Sequence, residues 1–262
     1  MVSKAALSGL RILIVNDDSI NSNGIKALER IANSISPDVW VVAPELGQSG
    51  KGFSVTFDSV LRINSISPRK FSVSGTPADC VFVALGQILN DKKPDLILSG
   101  INHGANVADF IGVSGTVGAA FAAASQGIKA ISISQHFEKE SPTKFPLIDH
   151  FLPTIIKKLM SFQWPNQVCM NINFPDTPFA EVKGIKVANQ GHLDVDWKIY
   201  QKNDPMDHPY YWIHAVYERK ITENSDIVLL EKDGYITITP LQNRHEYLGC
   251  MGKLEEIFAS NA

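Results

Sequence analysis

An apolar run that ends in an acidic pair constrains the fold of this chain more than any other feature. Residues 12–15, Ile-Leu-Ile-Val, lead directly into Asn16, Asp17 and Asp18. A short, continuous apolar run of this kind is typical of a buried strand in a parallel sheet. Because ligands of open α/β sheets bind at the carboxyl edge of the strands, the sequence predicts a ligand site at this pair. The simpler alternative is that both carboxylates only cap the next helix and face solvent.

The elements predicted along the chain alternate between strands and helices. Strands are predicted at 12–15, 39–43, 95–98, 131–134 and 170–174, and helices at 25–35, 76–89, 117–125 and 146–162. This alternation indicates an α/β protein with a Rossmann-like, three-layer αβα core and a mostly parallel sheet. Thr76, Pro77 and Asp79 predict a capping box at the start of the second helix.

The C-terminal part follows a different pattern. From about Val182 the predicted strands are short and alternating, 203–211 is predicted to be a loop, and 234–240 a strand with one buried face. Residues 248–262 are expected to form a short helix. We interpret residues 1–262 as a single domain, with a catalytic core at about 1–180 and a β-rich extension for subunit contacts at about 181–262.

Composition narrows the partners and the compartment. The net charge of −3 over 262 residues provides no basic field, so no large nucleic-acid interface is expected. Cys80, Cys169 and Cys250 are far apart and have no metal-ligand spacing, which favours a reducing compartment. The apolar run after the N-terminus is too short for a signal-peptide core or a membrane span. We therefore expect a cytoplasmic protein with no membrane association.

Four predicted loops carry oxygen-bearing side chains to the same edge of the sheet. They are residues 16–19, 48–50, 99–106 and 114–116. Their candidate metal ligands are Asp17, Asp18, Ser49 and Asn102, and no cysteine or cluster of histidines joins them. Oxygen ligands favour Mg²⁺ or Mn²⁺ over zinc, and Ca²⁺ also fits such a site. Taken singly, Ser49 and Asn102 are more often turn or cap residues.

The stretch Ser114-Gly115-Thr116 predicts a phosphate site. Ser114 is a good N-cap for a helix of small residues, whose first N–H groups and positive dipole end attract phosphate. One divalent cation would balance the two carboxylates and let a phosphate dianion approach. This combination indicates metal-assisted hydrolysis of a phosphate monoester. His103 is a candidate proton donor to the leaving alcohol, although a lone loop histidine is usually incidental.

Several runs of the chain carry a family resemblance. They are Asn-Asp-Asp at 16–18, Ala-Pro-Glu at 43–45, Gln-Ser-Gly at 48–50, Gly-Thr-Pro-Ala-Asp-Cys-Val at 75–81, Pro-Asp-Leu-Ile-Leu-Ser-Gly-Ile-Asn-His-Gly-Ala-Asn at 94–106 and Ser-Gly-Thr-Val-Gly-Ala-Ala at 114–120. Weaker matches lie at 171–175 and 234–241. In these runs the chain resembles the survival protein SurE family of metal-dependent 5′/3′-nucleotidases.

The resemblance implies a function and a set of site residues. It implies one divalent cation per subunit, held by Asp17, Asp18, Ser49 and Asn102, with Asp17, Asp18 and Asn102 in catalytic roles. It implies phosphate contacts at Asn102, Ser114, Gly115 and Thr116. The implied reaction is hydrolysis of nucleoside monophosphates, 5′ and also 3′, by attack of a metal-activated water, with a side activity on short polyphosphate. The implied assembly is a homodimer or homotetramer built through the C-terminal part.

The chain departs from the family pattern at three places near the expected site. Ser19 stands where the family has glycine, which costs free energy if the position needs a positive φ. Leu46-Gly47 replaces an Arg-Asn pair, which removes a cation and an amide. Val113 replaces a tyrosine. Because the metal ligands are intact, we expect activity with an altered substrate preference.

Other classes of protein remain as alternatives. A non-catalytic nucleotide-binding protein on the same fold would carry the same features, because a fold does not determine a function. A phosphorylation-receiver domain also ends its first strand in an acidic pair, but it needs an aspartate where this chain has Ser99. A haloacid-dehalogenase-type phosphatase needs an Asp-x-Asp pair, and here the aspartates are adjacent.

Overall fold

A nine-stranded, mostly parallel sheet forms the centre of the structure, a computed structural model that describes residues 7–137, 145–219, 222–244 and 252–253. The strand order is β3-β4-β2-β1-β5-β6-β7-β11-β8, and only the β3–β4 and β7–β11 pairs are antiparallel. The strands are β1 (Arg11–Val15), β2 (Asp38–Pro44), β3 (Ile63–Ser67), β4 (Lys70–Val73), β5 (Leu96–His103), β6 (Lys129–Gln135), β7 (Val168–Phe174), β8 (Ile185–Val187) and β11 (Ile236–Gln242).

Helices cover both faces of this sheet, which gives the predicted three layers. They are α1 (Asn23–Ile35), α2 (Pro77–Val83), α3 (Gly115–Ser125) and α4 (Pro146–Met160). Successive side chains of β1 point to opposite faces. Ile12 and Ile14 pack in one core cluster with α1 and α4, whereas Leu13 and Val15 pack in another with α2 and α3. The Rossmann-like, mostly parallel α/β fold is therefore confirmed.

The predicted capping box of α2 is present. Thr76 Oγ1 accepts a hydrogen bond from Asp79 N at 3.1 Å, and Asp79 Oδ2 accepts one from Thr76 N at 2.9 Å. The helical turns that follow become a π-helix at Ala84–Ile88, so α2 itself is shorter than predicted. Pro153 lies inside α4, which spans most of the helix predicted at 146–162.

Strand β5 extends beyond the predicted end at Leu98 and includes residues 99–103 of the predicted loop at 99–106. It pairs with β6 as far as His103 opposite Gln135, with an irregular register between Gly100 and Asn102. Gly100 has φ 145°, and a Cβ there would lie 2.4 Å from the Ile133 carbonyl oxygen. The sequence reasoning interpreted the glycine as a loop residue, but it instead lets the strand continue against its neighbour.

The C-terminal part contributes strands to the main sheet and also forms a separate hairpin. β8 and β11 extend the sheet, and Thr237 and Thr239 of β11 are buried. The predicted buried face of β11 is therefore present, but it carries Thr237, Thr239 and Leu241. On the other face Ile238 is partly buried and Pro240 is exposed. The proposed division near residue 180 stays a prediction.

The hairpin consists of β9 (Leu193–Asn203) and β10 (Pro209–Arg219), two antiparallel strands of eleven residues each. The expectation of short strands was wrong here, and only residues 204–208 of the predicted 203–211 loop connect the strands. The predicted helix at 248–262 lies outside the described residues except at 252–253, and so does Cys250. Among the helices that are described, none has the length and apolar content needed to cross a membrane.

Candidate active site at the carboxyl edge of the sheet

The turn after β1 directs the acidic pair, and it contains a strained residue. Ser19 has φ 100°, a left-handed conformation that favours glycine. Asn16 holds this turn, because its Nδ2 donates to Ser19 O at 2.8 Å and to Ser22 Oγ at 2.9 Å. Ser22 in turn caps α1 by accepting a hydrogen bond from Ile25 N at 3.3 Å. The condition under which serine is costlier than glycine at position 19 is therefore met.

Asp17 joins three of the predicted segments. Its side chain is 4% exposed, and its Oδ1 accepts a hydrogen bond from Thr116 Oγ1 at 2.6 Å. Its backbone oxygen accepts one from Gln48 N at 2.7 Å, which fixes the start of the 48–50 loop. Gly115 lies so close that a Cβ there would be 3.0 Å from Asp17 Oδ2. The carboxylate of Asp17 therefore faces the first turn of α3.

Asp18 joins the fourth segment. Its Oδ2 accepts a hydrogen bond from His103 N at 3.3 Å, directly beyond Asn102 at the end of β5. The Asn102 side chain is oriented by a 2.8 Å bond from its Nδ2 to Gly104 O, which leaves its amide oxygen as an available ligand. The acidic pair thus contacts both of its neighbours at this edge, the end of β5 and the start of α3.

The two carboxylates lie in an unfavourable electrostatic environment. Burial raises the pKa of Asp17 to about 6, the Thr116 hydroxyl counteracts this, and the charge of Asp18 adds to it. Burial also raises the pKa of Asp18, opposed by the backbone N–H and the imidazole of His103. Buried carboxylates of this kind are stabilised when a cation binds between them. A divalent cation therefore fits the chemistry of these residues.

The ligand set around the pair contains oxygen atoms only. Among the described residues no group of three or more His, Cys, Asp and Glu side chains is arranged to hold a metal. A cation at this edge would consequently depend on two carboxylates and on neutral oxygens. Asn16 Oδ1 is one such oxygen, because it is buried and has no hydrogen-bond partner. Hard cations such as Mg²⁺ and Mn²⁺ accept this set, whereas zinc favours nitrogen and sulfur.

Ser49 and Ser114 are less completely accounted for by the geometry. Ser49 is exposed in the loop that Gln48 attaches to Asp17, and its role as a ligand stays a prediction. The Ser114 hydroxyl accepts a hydrogen bond from Val117 N at 3.1 Å, which confirms it as the N-cap of α3. Since that side chain is engaged in capping, the donors available to an anion at this end of α3 are backbone N–H groups of the first turn.

Helix α3 lies close to the loop at residues 48–52 because the residues of the helix are small. A Cβ at Gly118 would lie 2.0 Å from Gly52 O, and Gly52 N donates to Val113 O at 2.9 Å. Seven alanines and glycines of α3 are fully buried, or nearly so, against the sheet and this loop. The small-residue composition of the helix therefore permits the close approach of the loop to the site.

Sequence reasoning missed two interactions at this site. Asn16 was treated as part of the acidic run, whereas its amide fixes the turn that directs Asp17 and Asp18. Thr116 was assigned to phosphate alone, whereas its hydroxyl binds Asp17. For the interaction of Asn16, the position of an asparagine between a strand and the N-cap Ser22 was a usable signal. The second depends on residues 99 positions apart and left no local signal.

The acidic pair lies at the carboxyl edge of a doubly wound sheet, with Asp17 facing the N-terminus of α3 and Asp18 facing the end of β5. This arrangement defines an α/β protein with a candidate site for a cation and a phosphate group. The sequence model of one family, described as "Survival protein SurE", matches residues 12–196. The chain therefore belongs to the survival protein SurE family.

Relatives and a solved structure agree with this assignment. A protein named 5′-nucleotidase SurE from Paramagnetospirillum magneticum is 44% identical over 235 residues, which cover 89% of this chain and 90% of that protein. Another of the same name, from Parvibaculum lavamentivorans, is 42% identical and covers 92% of this chain and 88% of that protein. The crystal structure of the SurE protein from Aquifex aeolicus has a TM-score of 0.79 and 35% identity, covering 94% of this chain and 99% of that one.

Proposed function

We propose that this protein is a divalent-metal-dependent phosphomonoesterase that hydrolyses nucleoside monophosphates. The observation that carries the proposal is the 2.6 Å hydrogen bond from Thr116 to the buried carboxylate of Asp17. It unites the acidic pair and the start of α3 in one site, where a cation and a phosphate group would be neighbours. The names of the relatives, 5′-nucleotidase SurE, support the nucleotide as the substrate.

Asp17, Asp18, Ser49 and Asn102 are the proposed cation ligands. When bound, Mg²⁺ or Mn²⁺ supplies charge neutralisation at the phosphoryl oxygens and lowers the pKa of a bound water. The burial of Asp17 supports this set, because a desolvated carboxylate gains most from a cation. Ca²⁺ suits the same oxygen ligands and is expected to bind there too.

The backbone N–H groups of Gly115 and Thr116 are the proposed phosphate donors, with Ser114 as the N-cap that orients them and Asn102 as a further contact; the N–H of Ser114 itself donates to Ile111 O at 3.3 Å. The donors of Gly115 and Thr116 point out of the N-terminus of an eleven-residue helix, whose dipole favours an anion. Gly115 suits this role, because any side chain there would crowd Asp17. The helix start thus binds and orients the phosphate, and the acidic side of the site lies opposite.

The nucleoside has room beside Asp18. A cleft of about 260 Å³ is lined there by Asp18, Gly24, His103 and Phe145, among others. The His103 imidazole is exposed and lies 5.0 Å from the Phe137 ring, at the mouth of this region. His103 is therefore well situated as a proton donor to the leaving alcohol. Cleavage of 3′- as well as 5′-nucleotides and of short polyphosphate belongs to the same proposal.

The proposed assembly is a homodimer or homotetramer formed through the C-terminal part. Large apolar side chains on the β9–β10 hairpin support it, since Trp212 is 64% exposed and Ile213 is 67% exposed. We further propose a cytoplasmic location, which the buried free thiols of Cys80 and Cys169 support.

The test is phosphate release from a panel of 5′- and 3′-nucleotides, with Mg²⁺, Mn²⁺ or Ca²⁺ added after exhaustive chelation. We expect release only with an added metal, and we expect nucleoside monophosphates to exceed simple phosphate esters. Undiminished release after chelation would remove the metal from the proposal. Nucleotide binding without any release would favour the non-catalytic alternative.

A further inference from the structure

The segment that leads into the proposed phosphate helix begins at a strained residue. Ala108 has φ 50°, a left-handed conformation that is unusual for alanine. From Ala108 a 3₁₀-helix runs to Val113, and Ser114 then caps α3. We call residues 107–113 the leading segment. Because the segment is short, the conformation of Ala108 determines where Ser114 lies.

Side chains from distant parts of the chain hold both backbone groups of Ala108. Its N–H donates to Asp226 Oδ2 at 3.1 Å, and its oxygen accepts a hydrogen bond from Gln190 Nε2 at 3.0 Å. A left-handed alanine costs free energy, so it persists only where its surroundings fix it. The hydrogen bond that Asp226 accepts and the one that Gln190 donates supply that restraint.

Asp226 is itself fixed by the residues that lead into the hairpin. We call residues 190–193 the base of the hairpin. The residue is fully buried, and its Oδ1 accepts hydrogen bonds from Gly191 N and Ile227 N, both at 2.8 Å. Gly191 permits this approach, because a Cβ there would lie 3.0 Å from the same oxygen. A buried carboxylate with three backbone donors is a rigid connection between two segments.

Further contacts bind the leading segment to the same place. Asp109 Oδ2 accepts a hydrogen bond from Leu193 N at 2.5 Å and lies 3.0 Å from His192 Nδ1. The rings of Phe110 and Tyr217 meet edge to face, with centroids 5.2 Å apart. The leading segment is therefore attached at three successive residues, Ala108 and Asp109 to the base of the hairpin and Phe110 to strand β10.

We propose that Asp226 is a positioning residue for the phosphate site, acting through Ala108 and the leading segment on Ser114. The inference deepens the proposed function and rests on it for the identity of the ligand. Asp226 touches no substrate in this scheme. Its carboxylate sets the start of the segment, and the 3₁₀-helix transmits that position to the first turn of α3.

A purely structural role makes a different prediction. If Asp226 only stabilises the hairpin base, its substitution lowers the melting temperature and leaves ligand binding unchanged. If it positions the helix start, its substitution weakens phosphate binding beyond any loss of stability. The cation ligands Asp17 and Asp18 follow β1, so cation affinity is expected to change less than phosphate affinity.

The test compares Asp226→Asn with Asp38→Asn in the full-length protein. Asp38 pairs with Arg11 at 2.9 Å and accepts a hydrogen bond from Trp40 Nε1 at 2.8 Å, at the opposite edge of the sheet, so the control removes a comparable charge. Gln190→Ala is a milder variant, because it removes only the hydrogen bond to the Ala108 oxygen. It is expected to fold even if Asp226→Asn does not, so the test can still be made. The measurements are KM and kcat for a nucleoside monophosphate, inhibition by inorganic phosphate, cation affinity, and amide hydrogen exchange.

For Asp226→Asn we expect the KM and the inhibition constant of phosphate to rise about tenfold, the loss associated with one charge-assisted hydrogen bond. Amides of residues 108–118 should exchange about tenfold faster, and Gln190→Ala should change both in the same direction by about threefold. Asp38→Asn should change neither. The proposal is overturned if Asp226→Asn has the same amide hydrogen exchange at residues 108–118 and the same phosphate inhibition constant as Asp38→Asn. If the wild type hydrolyses no nucleotide, the proposed function fails, and hydrogen exchange still decides the positioning role.

Discussion

The carboxyl edge of the sheet and the β9–β10 hairpin distribute polarity in opposite ways. At the edge, polar side chains such as Asn16, Asp17 and Thr116 are buried and most are hydrogen-bonded within the chain. On the hairpin, large apolar side chains such as Trp212 and Ile213 are exposed. Buried polar groups mark a site whose geometry is fixed in advance, and an exposed apolar surface marks a place of association. Substitutions in the first region should therefore change chemistry, and those in the second should change assembly.

The largest effect is expected at Gly115. In Gly115→Ala the new Cβ would lie 2.9 Å from Asp17 Cβ and 3.2 Å from Pro77 Cγ, so either the helix start or the acidic pair must shift. A displacement of about 1 Å lowers catalysis by about a hundredfold, and we expect kcat/KM to fall by that order. Gly112→Ala is the control, because nothing lies within 4 Å of a Cβ there. Equal activity of the two variants would contradict the assigned geometry.

A smaller effect is expected for Thr116→Val, which keeps the shape of the side chain and removes its hydroxyl. Asp17 Oδ1 then loses its buried donor, which should lower the free energy of unfolding by about 1–3 kcal/mol. The pKa of Asp17 should rise further, because the hydroxyl lowers it. Ser125→Ala at the other end of α3 removes an exposed hydroxyl that donates to Ala122 O and accepts from Gln126 Nε2, both close neighbours in the chain. Chemical denaturation of both variants checks the prediction, and equal losses would count against a special role for Thr116.

On the hairpin we expect a change of assembly with little change in folding. The double variant Trp212→Ser/Ile213→Ser should shift the protein to a smaller species in sedimentation velocity. Its unfolding free energy per subunit at low concentration should stay within about 0.5 kcal/mol of the wild type, as for ordinary surface positions. Lys202→Ser, on the paired strand, serves as the control. An unchanged sedimentation coefficient in the double variant would remove the hairpin from the proposed interface.

The smallest effect is expected at Ser19, where a substitution should improve the fold. Ser19→Gly removes the strain of φ 100° and should raise the unfolding free energy by up to about 1 kcal/mol. Ser65→Gly lies in the exposed strand β3, where no left-handed φ occurs, and should destabilise. A loss of stability in Ser19→Gly would show that the serine side chain contributes more than its strain costs.

Sequence reasoning was most successful where the determinants are local. The apolar run at 12–15 predicted β1, and Ser114 and Thr76 predicted the starts of α3 and α2. The order of strands and helices then predicted the α/β class and the edge at which the polar loops meet. These features depend on neighbouring residues, so periodicity and capping chemistry reveal them.

Sequence reasoning was less successful where residues far apart in the chain determine the structure. Gly100 resembled a loop residue, and only its close approach to Ile133 explains why β5 continues. The alternation of apolar and polar residues from Leu193 to Ile199 indicated a strand, but the full length of the hairpin was missed because the polar, proline-bearing stretch 203–211 resembles a loop. The bond from Ala108 to Asp226 spans 118 residues, and no local pattern indicates it. Tertiary packing, not local propensity, determined these parts.

The proposed function requires Asp17 and Asp18 to be ligands of one cation at the carboxyl edge. The most direct measurement is calorimetric titration of the metal-free protein with Mn²⁺, for the wild type, Asp17→Asn, Asp18→Asn and the distant control Asp38→Asn. We expect one cation per subunit in the wild type and in Asp38→Asn, and no measurable binding in the other two, with their melting temperatures retained. Unchanged Mn²⁺ binding by Asp17→Asn and Asp18→Asn would contradict the account.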